Sequence, residues 1–333
     1  MSSLILVLAA SLDYLIGDPK NWLHPVQVMG WLISRFSKWV FSSFSLPWLQ
    51  RSAGIFLGVG LIGGSAILSW LVVRITTQIH PWLGIVSETI MLASCFAGRS
   101  LRLAAEDVLQ PLTQDNILLA QQKLSQYVGR DTDKLTPPEI LRAILETVAE
   151  NATDGVTAPL FYALLGASLP GVDAVTLAIA YKAASTLDSM IGYRRQPFTN
   201  LGWFSAQLED RLTWLPCRLT VLTLAMMSGK PREVWRLCRR DAIQDPSPNS
   251  GWSECAYAAI LNVQLGGTNY YQGVLKQKPL LGEPKEPITI AKIRQALKLN
   301  RYCFLLWLMV FLLVSIVVDV SLDIFNRTGL GIF

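Results

Sequence analysis

AGIFLGVGLIGGSAILSWLVV, residues 53–73, decides the fold class. The run holds no charged side chain and stands between Arg51 and Arg74. A helix rises about 1.5 Å per residue, so about 20 apolar residues cross the hydrocarbon layer of a bilayer. Gly54, Gly58, Gly60, Gly63 and Gly64 punctuate the run. Small residues at such spacing let helices approach closely, so this span is expected to pack on a neighbour or to support a homodimer.

A second run, residues 302–318, is equally free of charge between Arg301 and Asp319. Weaker candidates are residues 81–98 (only Glu88 charged), 212–228 (Arg218 near one end) and 155–172 (uncharged, but broken by Pro159, Gly166 and Pro170-Gly171). The last has the pattern of a broken or re-entrant helix, which membranes tolerate only inside protein. The apolar N-terminus has no basic n-region and reads as the start of a membrane segment, not a cleaved signal. The expectation is an all-α, multi-pass helical membrane protein with four to five transmembrane helices and helical cytoplasmic segments.

Composition agrees. Of 333 residues, 51% are hydrophobic and only 16% charged, where soluble domains run near about 25%. Two ordinary soluble domains and a disordered chain are both excluded. The net charge is +5. Residues 229–301 hold twelve Lys and Arg against six Asp and Glu. With residues 99–154 they form the polar segments, and positive-inside bias places both in the cytoplasm of a cell-membrane protein. No basic stripe with interleaved aromatics points to nucleic acid. Five scattered cysteines and two histidines support neither a disulfide framework nor a His-rich metal centre.

Four regions follow: membrane helices with an interfacial segment (residues 1–98), a helical catalytic core (99–228), a basic cytoplasmic segment with a substrate loop (229–301) and a last membrane helix (302–333). In the first, Met29, Leu32, Ile33, Phe36 and Val40 recur at helical spacing. Trp22, Trp31, Trp39 and Trp48 suit a membrane interface.

The chemistry-bearing residues gather beside apolar runs. Thr136-Pro137-Pro138-Glu139 has the pattern of a capped helix start. Beyond it Glu146, Glu150 and Asp154 recur every four residues, on one face if the helix continues, with Asn151 adjoining. They suit a magnesium site; the bland alternative is a solvated face partly paired with Arg142. Lys182, Ser185 and Ser189 share a second helical face with Asp188 at its edge. Ionisable groups in so apolar a stretch are costly and mark function more often than chance, although a Lys–Asp pair could merely solve a burial problem. Residues 245–251, DPSPNSG, make a loop whose N–H groups could cradle an anion.

Together these motifs resemble the adenosylcobinamide-phosphate synthase family, the CobD/CbiB type. The resemblance rests on Asp13, Gly17-Asp18-Pro19, His24-Pro25, Val128-Gly129-Arg130-Asp131-Thr132, Glu150-Asn151 with Asp154-Gly155-Val156, and Ala158-Pro159-Leu160-Phe161. It continues through Tyr181-Lys182, Thr186-Leu187-Asp188-Ser189-Met190, Gly192-Tyr193 and Ser247-Pro248-Asn249-Ser250-Gly251. It implies a membrane ligase that joins a propionate carboxylate of adenosylcobyric acid, a corrinoid, to aminopropanol or its phosphate, with ATP and Mg2+ activating the carboxylate. On that reading Glu150 and Asp154 hold magnesium with Asn151 in support. Arg130 and Lys182 bind phosphate groups. Asp188 orients Lys182 or acts as base. Ser247, Asn249 and Ser250 line the anion loop, and Asp18 and His24 close the site. Gln207, Glu209 and Asp245 depart from the family pattern and receive no essential role. Two other classes remain: a corrinoid transporter, and a membrane scaffold for corrinoid enzymes.

Overall fold

The structure, a computed structural model, describes residues 2–17, 24–193 and 195–328. The chain runs through α1 (Ser2–Leu15), α2 (Pro25–Ser43), α3 (Pro47–Ile79), α4 (Pro81–Ala93), α5 (Gly98–Thr113), α6 (Ile117–Leu124) and α7 (Pro137–Asn151). A π-helical turn (Ala152–Thr157) leads into α8 (Ala158–Ser168), α9 (Ala174–Ile191), α10 (Phe198–Leu201), α11 (Trp203–Met227), α12 (Pro231–Asp241) and α13 (Ser250–Leu261). A hairpin of β1 (Gln264–Tyr271) and β2 (Val274–Gly282) precedes the last helix, α14 (Ile290–Thr328).

Among the described residues three stretches are long and apolar enough to cross a membrane: Pro47–Ile79, Pro81–Thr113 and Ile290–Val318. The second consists of α4 and α5, which meet across residues 94–97. The expected count of four to five included residues 155–172. There α8 has 11 residues, about 16 Å of helix, too short to cross alone.

Local chemistry explains the helix ends. His24 and His80 each precede a proline and cap α2 and α4, their Nδ1 atoms accepting from Val26 N and Trp82 N at 3.3 Å. Such a cap satisfies a donor the first turn would otherwise orphan. At α7, Glu139 Oε2 accepts from the Thr136 backbone N–H and hydroxyl, each at 2.7 Å.

Two prolines open backbone carbonyls to other partners. Pro159 cannot donate to Gly155 O, which instead accepts the Ala97 N–H at 2.9 Å. Pro216, inside α11, leaves Leu212 O to accept the Tyr162 hydroxyl at 2.9 Å. These substitutions tie the α4–α5 break and α8 to the centre of the bundle.

One apolar core joins α1, α4, α5, α7, α9, α11, α13 and α14. A smaller cluster packs α2 and α3 against α9 and α10 through Ile33, Val40, Leu57, Leu187, Ile191 and Leu201. The glycine-rich span splits by face. A Cβ on Gly54 would lie 2.0 Å from Leu201 O, and one on Gly58 2.6 Å from the Phe204 ring. Gly60, Gly63 and Gly64 face open space.

The hairpin is the one departure from an all-helical chain among the described residues. Gln272 (φ 54°) and Gly273 (φ 76°) turn it, in the left-handed geometry that matches strand twist. Its pairing slips between Leu265 and Gly267. Asp131 pins the turn by accepting from Gln272 N at 2.9 Å and Gly273 N at 2.7 Å.

Candidate functional site

The helical register after α7 sorts the three carboxylates that share a four-residue spacing. Glu146 is buried, 2% exposed, in an ion pair with Arg130 and accepts from Gly266 N at 2.9 Å. Arg142 Nη1 adds a second cation 3.5 Å from Glu146. Glu146 is therefore paired, as the bland alternative had it with Arg142, but it is buried and not on a solvated face. Glu150 and Asp154 instead line a cleft of about 230 Å³. The π turn lies between α7 and α8, and such turns recur at functional sites because they re-aim side chains within a continuous helix.

Across the cleft stand Asp188 from the end of α9 and Glu209 and Asp210 from α11. The rim is Pro246, Ser247, Asn249 and Ser250. Six of the residues singled out in the sequence are therefore brought together: Glu150, Asp154, Asp188, Ser247, Asn249 and Ser250. Five carboxylates share one small cleft.

Burial and mutual repulsion push Glu150, Asp154, Asp188 and Glu209 toward their neutral forms. Desolvation first, then Asp210 and Glu150, raise Asp188 to about 6. Desolvation raises Glu209 to about 7 against the Thr213 hydroxyl that bonds it, with Asp188, Asp210 and Glu150 adding to the rise. Asp154 is pushed well up by burial, then by Glu209, Glu150 and Asp188, while Lys182 opposes. Glu150 is open to solvent at its side of the cleft yet crowded by protein. Burial raises it, Lys278 opposes, and Asp245 and Glu146 reinforce.

The remaining predicted residues stand elsewhere. Arg130, 8% exposed, donates to Glu146 and to Asn269 Oδ1 (2.7 Å), so it clamps the hairpin. Lys182 is half-buried on α9 and acts on Asp154 by charge. Asn151 Nδ2 donates to Thr147 O at 2.9 Å. His24 caps α2, and Asp18 lies outside the described residues. None of Arg130, Lys182, Asn151 and His24 lines the cleft.

The loop at residues 245–250 is organised from within. Asp245 Oδ1 accepts from Ser247 N at 2.9 Å, and Ser247 Oγ accepts from Ser250 N at 3.2 Å. Asn249, 3% exposed, donates through Nδ2 to Asp210 O at 2.8 Å, and its Oδ1 accepts from Arg218 at 3.3 Å. These bonds staple the loop to α11. An anion there would have to replace them.

Sequence reasoning gave Glu209 no role, and it missed Asp210 and a half-buried cation. Lys278 Nζ on β2 lies 3.3 Å from Glu254 Oε1 of α13. Burial alone would lower the Lys278 pKa, but Glu254, Glu146, Glu150 and Asp245 raise it overall. The available signal was the one that found Glu150: acids abutting apolar runs, here 212–228 and 255–261.

No three His, Cys, Asp or Glu side chains converge closely enough to hold an ion by themselves, among the described residues. Magnesium needs only one or two carboxylates, with substrate phosphates and water completing six positions. The cleft supplies those carboxylates, so its donor set fits a magnesium–phosphate complex better than a bare protein cage.

Membrane-length helices, together with a carboxylate-lined cleft built from α7, the π turn, α9, α11 and the loop before α13, define a helical membrane protein with a polar site. The chain belongs to the CobD/CbiB family: the family model described as CobD/Cbib protein matches residues 6–300. It is 55% identical over 311 residues to cobalamin biosynthesis protein CobD of Synechocystis sp., covering 93% of this chain and 91% of that one. It is 40% identical to CobD of Halalkalibacterium halodurans (88% and 90% covered) and 39% identical to CbiB of Salmonella typhimurium (90% and 93%). No solved structure matches.

Proposed function

We propose that the protein is a membrane-bound ligase of cobalamin biosynthesis. It would form the amide between a propionate carboxylate of adenosylcobyric acid and aminopropanol or its phosphate, at the cost of ATP. The observation that carries this reading is the convergence of Glu150, Asp154, Asp188, Glu209 and Asp210 on one cleft.

Amide formation removes water from a carboxylate and an ammonium, neither of which reacts as it stands. Transfer of the γ-phosphoryl group of ATP to a carboxylate oxygen would release ADP and create a phosphate leaving group, which the amine displaces after losing a proton. Acids poised at about 6 and about 7, Asp188 and Glu209, can accept that proton near neutral pH. The Tyr181 hydroxyl and Thr213 Oγ1 lie 2.9 Å apart, and Thr213 in turn donates to Glu209, which fixes that carboxylate in place. The carboxyl-lined wall offers hydrogen-bond acceptors to the ammonium end of the amino alcohol, which orients it. Glu150 and Asp154 are the residues that would hold Mg2+, which supplies charge neutralisation for the phosphates. Lys182 favours the ionised form of Asp154 by charge.

The basic excess after Gly229 supports a cytoplasmic face for the cleft, where ATP is available. The test is to incubate purified protein in lipid nanodiscs with adenosylcobyric acid, aminopropanol phosphate, ATP and Mg2+. Mass spectrometry should find adenosylcobinamide phosphate and one ADP per product. A protein that binds both substrates and forms no amide under any nucleotide condition would support the transporter or scaffold reading instead.

A further inference from the structure

A second cavity, about 310 Å³, lies between α1, α5 and α14 and shares no lining residue with the acidic cleft. One end is polar. The Tyr14 ring is flanked by two guanidinium carbons, Arg301 at 4.0 Å and Arg102 at 4.9 Å from its centroid. Arg301 also donates to the Tyr14 hydroxyl at 2.8 Å. Neither arginine forms an ion pair among the described residues. Asp13 is the one carboxylate in the lining, so the polar end stays net positive.

The other end is apolar. Val7 of α1 and Leu305 and Leu308 of α14 line it. Seven residues separate Val7 from Tyr14 and Arg301 from Leu308, about 10 Å along each helix. Arg301 immediately precedes the uncharged run 302–318 of a membrane-length helix. The cavity therefore straddles the boundary between polar and apolar chain, where lipid headgroups meet acyl chains.

Asn300 adds an independent observation. It is 5% exposed, lines the cavity, and its Oδ1 is buried with no hydrogen-bond partner. A buried acceptor without a donor is costly, so the ligand should bring one. A phosphodiester offers only acceptors, but a headgroup hydroxyl donates.

The geometry points to a binding site for an anionic phospholipid with a hydroxylated headgroup, of the phosphatidylglycerol kind. Its phosphodiester meets Arg102 and Arg301, a glycerol hydroxyl donates to Asn300, and an acyl chain runs along Val7, Leu305 and Leu308. A free anion would satisfy the arginines and leave both the apolar wall and Asn300 unserved.

Native mass spectrometry of the full chain tests this, with equal phosphatidylglycerol and phosphatidylcholine supplied. The wild type should retain the anionic lipid about tenfold or more over the zwitterionic one, a ratio in line with charge-assisted hydrogen bonds. The Arg102→Gln/Arg301→Gln double variant and Leu305→Trp, which fills the apolar end and keeps both arginines, should each abolish the preference. Circular dichroism and monodispersity establish that each variant folds, and Leu305→Trp suffices if the double variant does not. Equal retention of the two lipids by the wild type overturns the proposal. So does displacement of the lipid by inorganic phosphate with no effect of Leu305→Trp, which marks a free-anion site.

Discussion

Lys278 Nζ stands 3.3 Å from Glu254 Oε1, and Glu254 is fully buried. The pair joins the hairpin to α13, and the same ammonium opposes the burial-driven rise of Glu150, favouring its ionised form at the cleft. Burial raises Glu254 to about 8 even with Lys278 opposing, and Glu146 and Glu150 add to the rise. Only Glu254 is fully buried and the Lys278 side chain is 30% exposed, so removing the lysine mainly deprives a buried carboxyl of its hydrogen-bond donor, at about 1–3 kcal/mol. Lys278→Met should therefore lower the melting temperature in detergent. Glu254→Gln in the same chain should recover part of the loss, as a double-mutant cycle would register. An additive double variant would contradict the coupling.

Arg130 and Asp131 are neighbours with separable tasks at the hairpin. Arg130→Ala strands Glu146, 2% exposed, although Arg142 remains 3.5 Å away, and should cost about 3 kcal/mol. Asp131→Asn weakens only the two turn contacts and should cost about 1–2 kcal/mol. Hydrogen exchange localises the difference: Asp131→Asn should speed exchange at Gln272 and Gly273 and leave α7 protected.

The cleft acids make stability depend on pH in a defined direction. Asp188 and Glu209 are raised to about 6 and about 7 in the folded chain. Unfolded carboxylates titrate near about 4, so the folded state binds more protons between those values. Their contribution is present at low pH and is lost as pH rises from about 4 through 7. Added Mg2+ should restore stability above pH 7 by pairing with the ionised acids. Melting curves from pH 5 to 8 with and without Mg2+ measure this, and Asp188→Asn with Glu209→Gln should flatten the metal-free slope.

Two glycines in one span should respond oppositely. A side chain at Gly54 meets the Leu201 carbonyl, whereas Gly63 has nothing within 4 Å. Gly54→Val should cost about 1–3 kcal/mol from overpacking, and Gly63→Val should be near neutral in the monomer. Thermal melting of both variants in detergent checks the asymmetry.

Much of this architecture was legible in the chain. Uncharged runs 53–73 and 302–318 lie in membrane-length helices, and Thr136-Pro137-Pro138-Glu139 starts α7 where the capping pattern says it should. Glu150, Asp154 and Asp188 could be found because acids beside apolar runs stand out in a chain so short of charge. The hairpin was not legible: its turn is Gln272-Gly273, without the Asn-Gly or Asp-Gly signal, and its strands lack alternation. That omission also hid Lys278, and it left Arg130 looking like a phosphate ligand when its contacts are with Glu146 and Asn269. Periodicity reports which residues share a face, but not that a strand from 120 residues away will hydrogen-bond one of them.

The central claim is that the carboxylate cleft performs amide formation. The most direct measurement is kcat/KM for adenosylcobinamide phosphate synthesis by Glu150→Gln and Asp188→Asn, each shown by circular dichroism and size exclusion to be folded. Loss of a positioned base or charge-stabilising group typically removes about a hundredfold or more. Both variants should fall by that amount, with Mg2+ affinity weakened in Glu150→Gln. Two folded variants that turn over at the wild-type rate would contradict the account.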